Sequence, residues 1–352
     1  MTTHMTTRSQ HKIDIAVVGA TGLVGESMLS ILAERKFPVN KVYALASERS
    51  IGTTVLFGSK NLDVVDLASF DFSKVQVALF SAGSSVSERY APKAAAAGCV
   101  VIDNTSCFRY RDEIPLVIPE INPEAIADYK RTNIIANPNC STIQMLVALK
   151  PIYDLVGISR ITVATYQSVS GTGKAAISEL IDQSAQLLNG RPVKHSVYPQ
   201  QIAYNVLPQI DIFLENGFTK EEMKMVWETH KILGDKTISI NATAVRVPVI
   251  CGHSEAITID TKKPITAEVA RELLSTAPSL KVIDNLAKAK YPTPFSDAVG
   301  TDFVYVGRIR NGLDSNNVLN LWVVSDNIRK GAALNTVQIA EILVDKYLSY
   351  NN

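Results

Sequence analysis

The 352-residue chain contains no uncharged apolar run long enough to cross a bilayer; stretches such as residues 94–102 stop well short of the roughly 18 residues that a span requires. Its four cysteines, Cys99, Cys107, Cys140 and Cys251, are scattered and never adopt Cys-x-x-Cys spacing, which argues against structural zinc. No metal is expected, and with no signal-peptide pattern at the start we expect a reducing, cytoplasmic setting. Neither sign of charge prevails, since 35 Lys and Arg stand against 34 Asp and Glu. Bulk electrostatics therefore recruits neither nucleic acid nor an anionic membrane, and any anion binding has to be local. Internal repeats and low-complexity segments are also missing. Residues 1–11 lack hydrophobic periodicity and are expected to be disordered, which leaves His4 and His11 without a role.

What is present suffices for two cored domains, given the length and 46% hydrophobic composition. A β-branched apolar run at 13–18 leads into Gly19-Ala20-Thr21-Gly22-Leu23-Val24-Gly25 and an amphipathic stretch at 27–35, the order strand, glycine turn, helix. Glycines at 19, 22 and 25 would let the backbone approach a pyrophosphate at the helix N-terminus; Gly19, Thr21, Gly22, Leu23 and Val24 are candidate cofactor contacts. The spacing differs from Gly-x-Gly-x-x-Gly, and such glycines also serve tight turns and close strand–helix packing. A second strand at 41–46 follows at βαβ distance, and after it comes Ser47-Glu48-Arg49-Ser50. A cation with hydroxyls suits the 2′-phosphate of NADP, so Arg49 and Ser50, with Ser47, are read as cofactor ligands; Glu48 could instead select NAD. Strands at 75–80 and 99–103 end in small or polar residues that would line the ligand crevice of a parallel sheet.

The segment Asn137-Pro138-Asn139-Cys140-Ser141-Thr142 places a cysteine at the start of a helical run that carries Ile143, Leu146, Val147 and Leu149 to an expected break at Lys150-Pro151. First-turn N–H groups favour a thiolate, which makes Cys140 a candidate nucleophile, although an unpaired cysteine is commonly a small buried hydrophobe. His253 follows an expected strand at 244–250 across a Cys251-Gly252 turn, where imidazole could reach the nucleophile and shuttle its proton. Arg246, seven residues earlier, offers a planar fork for a carboxylate.

These segments, with Asp103-Asn104-Thr105-Ser106-x-Phe108-Arg109, Tyr166-Gln167-Ser168-Val169-Ser170-Gly171, Glu221-Glu222-Met223-Lys224, Arg246-Val247-Pro248 through Gly252-His253-Ser254-Glu255, and Asp326-Asn327-Ile328-Arg329-Lys330-Gly331-Ala332-Ala333, resemble the motifs of aspartate-β-semialdehyde dehydrogenases. They stand in that family's order, and the resemblance covers nearly the whole chain. It implies NADP-dependent chemistry linking L-aspartyl 4-phosphate with L-aspartate 4-semialdehyde and inorganic phosphate through a cysteine thioester, in the biosynthesis of lysine and diaminopimelate, threonine, methionine and isoleucine. By the same resemblance Cys140, His253 and Gln167 are catalytic, Asn139 and Gln167 touch substrate, Arg246 holds the α-carboxylate, and Arg109 and Lys224 meet phosphate across a domain cleft. Glu221 would contact the substrate ammonium or form an ordinary i,i+3 pair with Lys224. Ser170, Gly171 and Asn327 would reach the cofactor.

The expected fold is α/β, similar to glyceraldehyde-3-phosphate dehydrogenase: a Rossmann-like doubly wound domain over 1–138, completed by a helix at 327–352, and an α+β mixed-sheet catalytic and dimerisation domain over 139–326. β-like runs at 158–166, 238–248, 256–259, 303–310 and 318–325 mix there with helices at 174–188, 220–231 and 267–275. The resemblance implies at least a homodimer, or a homotetramer. Cys99, Cys107 and Cys251 are read as packing, His230 as solvated, and His195 is unassigned. Two other readings stay open: an N-acetyl-γ-glutamyl-phosphate reductase-type enzyme, whose acylated amine would need no carboxylate partner, and a non-catalytic dinucleotide-binding sensor, which would need no thiol.

Overall fold

The computed structural model describes residues 12–313 and 315–348; the expectations for residues 1–11, including His4 and His11, and for the last helical residues at 349–352 lie outside the described residues. Strands β1 (Ile13–Val18), β2 (Val39–Ala46), β3 (Thr54–Phe57), β4 (Lys60–Asp66), β5 (Val77–Phe80), β6 (Val100–Asp103) and β7 (Ile134–Ala136) form one sheet in the order β3-β4-β2-β1-β5-β6-β7. Every pairing is parallel except β3 with β4. The chain passes from β1 to β2 and β4 on one side and to β5, β6 and β7 on the other, which puts a crevice at the carboxyl ends of β1 and β5. Helices α1 (Leu23–Glu34) and α2 (Ser84–Ala96) follow β1 and β5. Strands β5, β6 and β7 are buried along their whole length, as a sheet covered on both faces requires.

Helix α3 (Cys140–Val156) leads into a second sheet built from β8 (Ile158–Gln167), β9 (Ser239–Arg246), β10 (His253–Thr261), β11 (Leu280–Val282), β12 (Val304–Asn311) and β13 (Val318–Ser325). Its order is β11-β12-β13-β10-β8-β9, with parallel and antiparallel neighbours. Helices α4 (Lys174–Leu188), α5 (Lys220–Leu233) and α6 (Ala267–Thr276) belong to the same half of the chain. Ile143, Leu146 and Ile152 of α3 share a core with Ile161, Val163, Ile257, Ile259, Leu321 and Val323 of this sheet. Its other face carries Tyr166 and Trp322, whose ring centroids lie 5.5 Å apart. After β13 the chain returns through α7 (Leu334–Leu343), where Leu334, Val337, Ala340 and Leu343 pack with Ile15, Val17, Met28 and Leu32. The result is the expected α/β class, a Rossmann-like sheet joined to a mixed sheet.

Three local expectations are corrected. Helix α3 does not break at Lys150-Pro151 but continues to Val156 with Pro151 inside it. Burial of nearly every side chain from Ser141 to Leu149 outweighs the ~3 kcal/mol cost of an interior proline. Strand β9 ends at Arg246, and His253 opens β10 instead of trailing a strand that reaches 250. His230 is half-buried and bonded through Nε2 to the Ile238 carbonyl at 2.9 Å, not solvated.

Candidate active site

Glycine geometry shapes the crevice above β1. Gly19 has φ +85°, and a Cβ there would stand 2.7 Å from the Ser81 carbonyl oxygen; one at Gly25 would stand 2.1 Å from the Gly19 oxygen. Gly22 precedes α1 without a side-chain cap, so the first-turn N–H groups beside Leu23 and Val24 remain available to an anion. Thr21 Oγ1 lies 3.5 Å from Ser50 Oγ, bringing the segment after β2 against the glycine turn, with Ser47, Glu48 and Arg49 exposed. This cradle fits a dinucleotide. Lys174, the first residue of α4, reaches over it to donate to the Thr21 carbonyl at 3.0 Å and to Glu26 at 2.7 Å, a contact no motif suggested.

Asn139 caps α3, its Oδ1 accepting from the N–H groups of Ser141 at 3.0 Å and Thr142 at 3.4 Å, and Cys140 is the first helical residue. Helix α5 lies against this cap. Glu221 Oε1 accepts from Asn139 Nδ2 at 2.9 Å and Gln167 Nε2 at 3.2 Å, while Glu228 Oε2 accepts from the Asn139 backbone N–H at 2.7 Å. Gln167 Nε2 also donates to Ser141 Oγ at 3.0 Å. Lys224 bonds Glu221 at 2.9 Å and Asp211 at 2.8 Å, and Arg109 Nη1 bonds Glu228 at 3.0 Å. Both expected phosphate ligands thus sit beside carboxylates, and Glu221 makes the i,i+3 pair while remaining in the site. Gly331 completes the surroundings: a Cβ there would meet Cys140 Cβ at 2.9 Å.

The remaining groups come from the ends of three adjacent strands. Gln167 ends β8 and pairs with Arg246 at the end of β9, while His253 begins β10 on the other side of β8. Arg246 Nη1 donates to the Ser168 carbonyl at 2.7 Å, and its guanidinium stands 5.9 Å from the Tyr198 ring. A Cβ on Gly171 would lie 3.2 Å from Arg246 Nη1 and 3.3 Å from His253 Nε2, so the missing side chain leaves room beside two buried donors. The Ser168 N–H donates to His253 Nδ1 at 3.1 Å, which puts the proton of the neutral ring on Nε2. In the neutral ring Nε2 is therefore a donor. Among the described residues, three buried nitrogens of the site have no hydrogen-bond partner, Arg109 Nε, Arg246 Nε and His253 Nε2. Buried donors left open are costly, and oxygen atoms of an anionic ligand would satisfy them.

Charge within the site is strongly perturbed. Burial, seconded by the negative charge of Glu221, pushes the Cys140 thiol up to about 12, against the pull of Arg246 and Arg109. The resting residue is therefore a thiol, although it stands at the helix N-terminus that suggested a thiolate. Burial and then Arg246 bring His253 down to about 3. Burial opposes the charge on Glu221, but Lys224, Asn139 and Arg246 outweigh it and hold the carboxylate at about 2.

Ser170 and Asn327 stand together beside the Gly171 turn. Asn327 Oδ1 accepts from Ser168 Oγ and Ser170 Oγ, both at 3.1 Å, and from the Gly252 N–H at 2.9 Å, while its Nδ2 donates to Ser170 Oγ at 3.0 Å. Both side chains are buried and bind each other, so they brace the turn that carries Gly171. Motif reading also missed Glu228, Asp211 and Tyr198. Only Glu228 left a trace, as a carboxylate one helical turn beyond Lys224 on the same face.

A dinucleotide-binding sheet joined to a mixed sheet, with a cysteine set among arginines and a lysine, is the arrangement of semialdehyde dehydrogenases. Residues 14–129 match the family described as semialdehyde dehydrogenase, NAD binding domain, and residues 149–330 match semialdehyde dehydrogenase, dimerisation domain. An aspartate-semialdehyde dehydrogenase of Legionella pneumophila is 64% identical over 97% of this chain and 98% of its own. The crystal structure of aspartate semialdehyde dehydrogenase II complexed with ASA from Vibrio cholerae has a TM-score of 0.94 at 57% identity, over 96% of this chain and 99% of that one. The structure of aspartate semialdehyde dehydrogenase with NADP from Candida albicans has a TM-score of 0.75 at 25% identity, over 95% of this chain and 98% of that one. The chain belongs to the aspartate-semialdehyde dehydrogenase family, and is an oxidoreductase.

Proposed function

We propose that the protein reduces L-aspartyl 4-phosphate to L-aspartate 4-semialdehyde with NADPH and runs the reverse reaction with inorganic phosphate. The observation that carries this is the open pair of donors, Arg246 Nε and His253 Nε2, in one charged cluster with Cys140 and the anionic Glu221. Arg246 holds the α-carboxylate, Glu221 the α-ammonium, and Arg109 and Lys224 the phosphate. Asn139 and Gln167 align substrate with the thiol. Cys140 sulfur bonds to the acyl carbon, the C–O bond to phosphate breaks, and the thiol proton leaves with hydrogen phosphate. His253 Nε2–H donates to the carbonyl oxygen as negative charge gathers on it. NADPH, when bound, supplies the hydride that reduces the resulting thioester. Collapse of the tetrahedral adduct then breaks the C–S bond, releasing aldehyde and a thiolate that is reprotonated from solvent.

Gly19, Thr21, Gly22, Leu23 and Val24 cradle the pyrophosphate and Gly171 faces the nicotinamide end. Arg49, with Ser47 and Ser50, selects the 2′-phosphate, and the exposed cation beside two hydroxyls supports NADP over NAD. We assign residues 1–138 with 327–352 to the dinucleotide domain and 139–326 to catalysis and dimerisation. The face of the mixed sheet bearing Tyr166 and Trp322 supports a homodimer or homotetramer. Neither other reading is favoured: an acylated amine has no use for the buried carboxylate of Glu221, and a sensor has none for Cys140.

Phosphate-dependent reduction of NADP with L-aspartate 4-semialdehyde, run beside NAD and beside N-acetylglutamate 5-semialdehyde, tests the proposal. Selective turnover of the aspartyl aldehyde with NADP, abolished in Cys140→Ser, is the expected result. Turnover of the acetylated aldehyde alone, or full activity in Cys140→Ser, would overturn it.

A further inference from the structure

Lys224 cannot serve phosphate as it stands. Its ammonium is held between two carboxylates, Glu221 at 2.9 Å and Asp211 at 2.8 Å, so the local charge that an incoming phosphate meets is negative. One of the two has to give way. Glu221 is fixed, being 5% exposed and bonded also to Asn139 and Gln167 at the nucleophile's cap. Asp211 is held far less firmly. Its side chain is 31% exposed, and among the described residues it accepts, beyond Lys224, only from the next residue, the Ile212 N–H at 2.9 Å. It stands at φ +69° in the loop before α5, closed by the Lys220 N–H bond to the Ile212 carbonyl at 2.8 Å.

We infer that Asp211 is a displaceable counter-ion: it neutralises Lys224 in the resting site and yields that ammonium to the phosphate of the substrate, thereby setting phosphate affinity. This rests on the assignment of Lys224 to phosphate. Without a ligand, Asp211 is the second carboxylate on an ammonium already paired with Glu221; with one, the charge-assisted bond to a dianion replaces the bond to this partly solvated carboxylate. Asp211 is thus a specificity residue that acts through Lys224 and touches no reacting atom.

The test is the KM for inorganic phosphate in the oxidative direction, measured for the native protein, Asp211→Asn, Lys224→Ala and the double variant. Asn accepts left-handed backbone and retains the oxygen that accepts from Ile212, so the loop is preserved. Asp211→Ala serves as a second removal of the charge. We expect Asp211→Asn to lower the phosphate KM roughly three- to tenfold, an effect that vanishes in the Lys224→Ala background. An unchanged or raised KM in Asp211→Asn and Asp211→Ala, with a raised KM in Lys224→Ala, would overturn the inference and leave the phosphate role of Lys224 standing. An unchanged KM in Lys224→Ala would overturn both.

Discussion

At Cys140 two local fields oppose each other. The helix N-terminus and the cations Arg246 and Arg109 favour a thiolate, while burial and the carboxylate of Glu221 favour the thiol, and the second pair prevails at about 12. Reactivity in the free protein should therefore rise about tenfold per pH unit through the range 7 to 10, with no plateau, because the thiolate fraction grows that way below its pKa. Iodoacetamide alkylation of Cys140, followed by mass spectrometry, measures this; a plateau near pH 7 would show a thiolate already formed. In the proposed binding mode, a substrate ammonium beside Glu221 would offset the carboxylate that suppresses ionisation. The cysteine's place at a helix start was legible from Asn139-Cys140-Ser141-Thr142. The field acting on it was not, because Glu221 lies 81 positions away in the chain.

Helix α5 is the element that assembles the site, presenting Glu221, Lys224 and Glu228 on one face to the cap of α3. Its own start is fixed by a capping box, in which Thr219 Oγ1 accepts from the Glu222 N–H at 3.3 Å and Glu222 Oε2 accepts from the Thr219 N–H at 2.6 Å. Glu222 Oε1 also accepts from the Ala244 N–H of β9 at 2.9 Å, tying the helix to the strand that ends in Arg246. Removing Thr219 Oγ1 in Thr219→Ala should cost about 1 kcal/mol. Glu222→Ala should cost more, about 1–3 kcal/mol, since it leaves buried backbone donors open. Urea denaturation would measure both, and equal losses would show that the bond to β9 contributes nothing. A charged amphipathic helix was readable over 220–231, whereas short pieces such as β7 and β11 gave no periodic signal and exist because neighbouring strands pair with them.

The whole molecule is joined by a buried ion pair between its last helical segment and the loop before β7. Lys330, fully buried, bonds both oxygens of Glu120 at 2.7 Å together with Asn335 at 3.1 Å and Gln338 at 2.8 Å. Glu120 also accepts from Ser279, next to β11 in the mixed sheet, at 2.7 Å. Asn335 in turn donates to Asn137, in the turn before Cys140, at 2.7 Å. Lys330→Met removes the cation and strands the carboxylate, so a loss of about 3–5 kcal/mol is expected in equilibrium unfolding. Lys330→Met with Glu120→Gln should recover part of it, because no uncompensated charge then remains; no recovery would show that the pair acts through packing alone.

The sequence by itself determined the class of fold, the glycine turn, the place of Cys140 at a helix start and the motifs that carry Arg246 and Glu221, because each depends on local spacing or on residue chemistry retained in a motif. Only the tertiary structure decided how those groups are charged and what they are free to do. The Ser168 N–H fixes the His253 proton on Nε2, Asn327 and Ser170 bind each other, and Asp211 holds Lys224. Each is a contact between segments distant or unpatterned in sequence, made where burial removes water as the alternative partner and so magnifies whichever neighbour the fold supplies.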